Sequence, residues 1–158
     1  TGRMELVATK KCGAQVYVDY AHTPEALRRI LTDIRPHVFG RIMVLFGAGG
    51  NRDKGKRMIM GRIAEELADN VFITDDNPRF EDPTSIRAEL IQGCKKAIEI
   101  ADRAEAIVRA VGELNAEDVL IIAGKGHETG QVIGNDVLPF SDSEYASTAV
   151  SVFDKRMP

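Results

Sequence analysis

Cysteine is scarce in this chain. Its 158 residues hold two, Cys12 and Cys94, far apart and without the spacing of a metal site. No signal peptide precedes them, so the expected setting is a reducing cytoplasm and not an oxidising, disulfide-stapled one. Long apolar runs are missing too: none approaches the ~20 residues that a membrane-spanning helix needs. Positive charge is not in excess. Lys and Arg number 21 against 24 Asp and Glu, for a net charge of -3, which gives no electrostatic reason to expect nucleic acid or a membrane surface as partner. No Ser/Gly/Pro-rich linker, charge block, repeat or low-complexity tract divides the chain, so residues 1–158 are expected to form one domain. No serine or cysteine has the context of an activated nucleophile, and no carboxylate–histidine spacing resembles a closed metal site. Neither a catalytic residue nor a metal ligand is therefore expected in the chain on its own.

What is present is an alternation of apolar runs and amphipathic stretches. The first eleven residues read as a connector without a periodic pattern. Gln15 to Asp19 reads as a short strand, and Thr23 as N-cap with Pro24 at the first helical position starts a helix that turns Ala26, Leu27, Ile30, Leu31 and Ile34 to one face. Ile42 to Phe46 and Val119 to Ala123 are short and uniformly apolar, as central parallel strands are. Between them come a helix with Met58, Ile59, Ile63, Leu67 and Ala68 inward, a strand ending at Thr74, a helix from Thr84, a weak strand near Ala97 to Ile100, and a helix from about Arg103 to Leu114. Gln131–Ile133 and Val137–Pro139 fit a hairpin at the sheet edge around Gly134-Asn135-Asp136. Ser141-Asp142-Ser143-Glu144 has the form of a capping box opening the last helix. This rhythm predicts an α/β fold: a doubly wound, mostly parallel sheet with helices on both faces, Rossmann-like, plus a small antiparallel edge hairpin.

In such sheets ligands bind beyond the carboxyl ends of the strands, where four polar loops should meet. They carry Asp19-Tyr20-Ala21-His22, Gly49-Gly50-Asn51-Arg52, Asp76-Asn77-Pro78-Arg79 and Gly124-Lys125-Gly126-His127-Glu128. In the third, Pro78 stiffens the turn and Arg79 offers a planar fork of donors suited to carboxylate or phosphate. The glycine loop fails as a dinucleotide fingerprint because Arg52 occupies the third glycine position, and it fails as a phosphate-cradling loop because Lys56 is followed by Arg57 and not by a hydroxyl. Lys54, Lys56 and Arg57 at a helix N-terminus fit either an anion site or a solvated face. His22 and His127 lie in turns and not on apolar faces, which leaves both open to function.

Together with Gly2-Arg3-Met4-Glu5 and Thr23-Pro24, these motifs resemble the carboxy-terminal domain of the Mur ligases nearly end to end. Within the family, Asp-Asn-Pro-Arg resembles the branch that adds meso-diaminopimelate to UDP-N-acetylmuramoyl-L-alanyl-D-glutamate, where the lysine-adding relatives lack this arginine. The resemblance implies an ATP-dependent amide ligase of peptidoglycan synthesis that works through an acyl phosphate. It implies that Arg52, Asp76, Asn77, Arg79, Gly124 and Glu128 hold diaminopimelate, with Arg79 on its distal carboxylate and Glu128 on its distal ammonium, while Arg3, Tyr20 and His22 reach the nucleotide. It also implies that the lysine phosphate loop, the magnesium ligands and the UDP-sugar site belong to two preceding domains absent from this chain, which alone should fold without turning over. Two other readings stand beside it: a free-standing nucleotide- or amino-acid-binding module, and a folylpolyglutamate-synthetase-like ligase domain, whose first motif would read Asp-Gly-Ala-His-Asn-Pro.

Overall fold

In the computed structural model, which describes residues 3–51 and 55–156, the two uniformly apolar runs lie side by side as parallel strands at the centre of the sheet. The strands are β1 (Glu5–Thr9), β2 (Gln15–Asp19), β3 (Ile42–Phe46), β4 (Asn70–Ile73), β5 (Ile98–Glu99), β6 (Val119–Ala123), β7 (Gly130–Ile133) and β8 (Asp136–Pro139). The helices are α1 (Pro24–Ile34), α2 (Gly55–Leu67), α3 (Pro83–Gly93), α4 (Arg103–Gly112) and α5 (Asp142–Arg156). Six strands pair in the order β1-β2-β6-β3-β4-β5, all parallel except the β1–β2 pair.

Every residue of β3 and β6 is buried because both sheet faces are covered. Met43, Leu45, Leu120 and Ile122 pack with Ala106, Ile107, Ala110 and Val111 of α4 and Ala146 and Ala149 of α5. Ile42, Val44, Phe46, Ile121 and Ala123 face the other way, onto Leu27 and Leu31 of α1, Met60 and Ile63 of α2 and Leu90 of α3. The chain leaves β3 toward α2 on one face, and leaves β6 toward α5 on the other. A crevice opens where neighbouring parallel strands send their connections to opposite faces, and here that point is the carboxyl end of β3 and β6.

Local signals act as their chemistry requires. Thr23 Oγ1 accepts from Ala26 N at 3.2 Å and Pro24 opens α1. Ser141 Oγ accepts from Glu144 N at 3.3 Å at the head of α5. The helix expected from Thr84 starts one residue earlier, at Pro83, and Asp82 caps it: its carboxylate accepts from Thr84 N at 3.0 Å.

Two expectations are corrected. The amino-terminal stretch is no connector, since Glu5–Thr9 forms edge strand β1; a register shift between Leu6 and Ala8 breaks the period-two pattern that would have announced it. In α2, Ile59 is 47% exposed, and the inward face is Arg57, Met60, Gly61, Ile63 and Ala64. The expected antiparallel hairpin is present, as a two-stranded sheet of β7 and β8. It is pinned over the β4 loop by Arg79 N to Val132 O at 3.0 Å and Gly134 N to Arg79 O at 2.6 Å.

Candidate ligand cleft at the strand ends

A cleft of about 340 Å³ opens at the carboxyl ends of the central strands. The β2 loop brings His22 to it, the β3 loop Gly47 to Gly49, α2 Lys56 and Arg57, the β4 loop Asp76, Asn77 and Arg79, and the β6 loop Gly124 and Glu128. Five of the six residues expected to hold the amino acid thus converge, and the sixth, Arg52, lies outside the described residues.

The β3 and β4 loops touch backbone to backbone. Gly50 N donates to Asn77 O at 2.7 Å, and a Cβ at Gly50 would stand 1.8 Å from Pro78 O, so only glycine fits there. Arg79 adopts a left-handed φ of 54°, rare outside glycine and held here by its two backbone bonds to the hairpin. Its guanidinium donates to Gly50 O at 3.1 Å and Asn77 O at 3.3 Å, and no carboxylate among the described residues neutralises it. A cation positioned by carbonyls and left without an anion is arranged to receive one.

Arg57 is different. Although it lines the cleft it is 2% exposed, bonded by Nη1 and Nη2 to Glu81 at 2.5 and 3.0 Å, to Glu89 at 2.9 Å and to Gly49 O at 2.9 Å. The Glu81 hydrogen bond above all raises its pKa further, against the cost of burial. Of the three cations expected as anion site or solvated face, Arg57 is therefore neither, Lys56 is exposed on the cleft wall, and Lys54 lies outside the described residues.

The cleft is also lined by two carboxylates. Asp76 is 8% exposed, its backbone oxygen accepting from Gln131 Nε2 at 2.7 Å. Glu128 reaches out from the β6 loop with a 47% exposed side chain, 3.5 Å from Lys125 Nζ. Lys125 is fully buried and donates to Asn77 Oδ1 at 3.0 Å. Beneath both loops, the fully buried Arg103 pairs with Asp142 through Nε at 2.7 Å and Nη2 at 2.8 Å, while donating to Asp75 O at 3.1 Å and Ala123 O at 3.2 Å. Sequence reading missed Lys125, Arg103 and Asp142 as builders of the site. The two glycines flanking Lys125 were the one available signal, since they let a loop close tightly round a side chain.

The residues expected near a nucleotide gather at the β2 end. Asp19 accepts from Met4 N and Ala21 N, both at 2.7 Å, which holds the exposed Arg3 beside the β2 loop. His22 Nδ1 lies 2.8 Å from Tyr20 O, so that nitrogen carries the proton. Tyr20 packs its ring on Gly126, where a Cβ would stand 2.6 Å from the ring atoms. Of these three only His22 lines the cleft. His127 is not among the cleft-lining residues and pairs with Glu5 of β1.

The sequence profile of the Mur ligase, glutamate ligase domain matches residues 2–126. The chain belongs to the Mur ligase family. A curated UDP-N-acetylmuramoyl-L-alanyl-D-glutamate–2,6-diaminopimelate ligase from Rhizobium meliloti is 60% identical over 142 residues, which is 90% of this chain and 29% of that protein. A solved structure of a ligase of the same description superposes on this Mur ligase domain with a TM-score of 0.90 at 38% identity, covering 100% of this chain and 32% of the other. A bifunctional folylpolyglutamate synthase/dihydrofolate synthase from Yersinia pestis, at 18% identity and a TM-score of 0.62 over 96% of this chain and 31% of its own, shares the fold alone. The chain thus spans about a third of the length of the relatives it matches.

Proposed function

We propose that this Mur ligase domain holds meso-diaminopimelate for an ATP-dependent amide ligase that joins it to UDP-N-acetylmuramoyl-L-alanyl-D-glutamate in cytoplasmic peptidoglycan synthesis. The observation that carries the reading is the polarity of the cleft. Among the described residues Arg79 pairs with no carboxylate, and the carboxylates of Asp76 and Glu128 line the same cleft, a complement to a ligand that bears carboxylate and ammonium together. In this reading Arg79 and Asn77 take the distal carboxylate and Glu128 the distal ammonium, with Gly124, Asp76 and Arg52 completing the subsite. Lysine, which lacks the distal carboxylate, would leave Arg79 unpaired.

Residues 1–158 are then the amino-acid-binding domain, and the ATPase and UDP-sugar domains lie elsewhere in the parent protein. The exposed Arg3 and His22 and the half-buried Tyr20 form a cationic and aromatic edge that suits a nucleotide. When bound, ATP supplies the phosphoryl group that activates the acceptor's carboxylate. The phosphates and magnesium are assigned to the central domain, as the family resemblance implies.

The test is a steady-state comparison of diaminopimelate and lysine as substrates of the full-length protein, wild type and Arg79→Ala. Wild type should use diaminopimelate in strong preference. The variant should lose about 2 to 5 kcal/mol in kcat/KM for diaminopimelate while keeping its KM for ATP. Equal use of lysine by wild type, or unchanged kinetics in the variant, would remove the reading.

A further inference from the structure

Lys125 is an ammonium with no exposed surface, placed between Asn77 and Glu128, which both line the cleft. Its Nζ donates to Asn77 Oδ1 at 3.0 Å, and Val132 N donates to the same oxygen at 2.9 Å. An amide oxygen has two lone pairs, so both are taken. Neither an ammonium nor a backbone N–H can accept, so the flip of the Asn77 amide is decided by its partners: oxygen inward, NH2 toward the cleft that Asn77 lines. An NH2 group only donates. It welcomes a carboxylate oxygen and repels an ammonium.

We infer that Lys125 is a positioning residue for amino-acid selection, which, with Val132 N, locks the Asn77 amide in its donor-outward orientation. Its weaker 3.5 Å approach to Glu128 Oε1 draws that carboxylate toward the same point. A single buried cation thereby arranges one donor and one acceptor on the cleft wall, without touching the ligand. This inference rests on the diaminopimelate reading above.

The experiment is a double-mutant cycle in the full-length protein, read as KM for diaminopimelate. Lys125→Met should raise that KM by roughly tenfold, about the effect of one misaligned hydrogen-bonding group, with kcat and the KM for ATP within about twofold. In an Asn77→Ala background the same change should cost less than about threefold, since residues that act through one another are not additive. Asn77→Asp supplies an arm that does not depend on how Lys125→Met folds. It keeps an oxygen on Lys125 and Val132 but turns a carboxylate to the ligand, so its KM should exceed that of Asn77→Ala. Additive penalties, or an Asn77→Asp variant that binds as well as Asn77→Ala, would overturn the positioning role and leave the diaminopimelate reading intact. A wild-type protein indifferent to diaminopimelate would overturn both.

Discussion

Cys94 closes α3 with no exposed surface, and burial, reinforced by nearby Glu65, pushes its thiol up to about 11. A thiol whose folded pKa lies above its unfolded value of 9.0 adds stability below about pH 9, and that stability drains away as pH rises toward 11. Cys12, half-buried in the turn after β1, has no such shelter. In native protein at pH 8, a thiol reagent such as Ellman's should therefore titrate one group quickly and the second only on unfolding; two fast thiols would contradict the burial. At this scale the sequence is legible where a residue acts alone and opaque where it acts through a distant one. Asp76, Asn77, Arg79, Gly124 and Glu128 lie in loops that could be marked out because they follow strands, and the family resemblance singled them out within those loops. Lys125 could not, because the group that gives it meaning is Asn77, 48 positions away. Arg57 reads as one cation among three until Glu81 and Glu89, 24 and 32 residues on, absorb its charge.

Among the elements, α2 and α3 meet at their backbones. A Cβ on Gly61 would lie 2.1 Å from Leu90 O, and one on Gly93 would lie 2.2 Å from Met58 O, so two glycines set the crossing. Gly61→Ala should destabilise the fold by about 1 to 3 kcal/mol, despite alanine's better helix propensity, because the clash is with backbone that has nowhere to go. Urea denaturation should show the drop, and a gain in stability would refute the close crossing. The same contact explains why the inward face of α2 was misread: the pattern that marks a buried helix face is apolar bulk, and here part of that face is glycine and a paired arginine. Strands β3 and β6 were legible because burial on both faces leaves an unbroken apolar run. Strand β1 was not, since its bulge and its half-exposed residues erase the alternation.

Across the whole molecule, the doubly wound order could be anticipated from the succession of strands and helices, and with it the convergence of four loops at one edge. What the succession could not give is how far apart those loops stand. That distance is set by Arg103, whose planar guanidinium bonds Asp75 O at the end of β4 and Ala123 O at the end of β6 while its charge is met by Asp142 at the head of α5. The consequence is temporal as well as spatial. Two loops fastened to one rigid plate have no independent clock: neither can swing out unless the plate lets go, and letting go leaves buried guanidinium N–H groups without a partner. Amide hydrogens in 75–77 and 123–125 should then exchange with deuterium through one shared opening, with matching free energies and a matching response to urea. Distinct opening energies for the two segments would show that each loop keeps its own time.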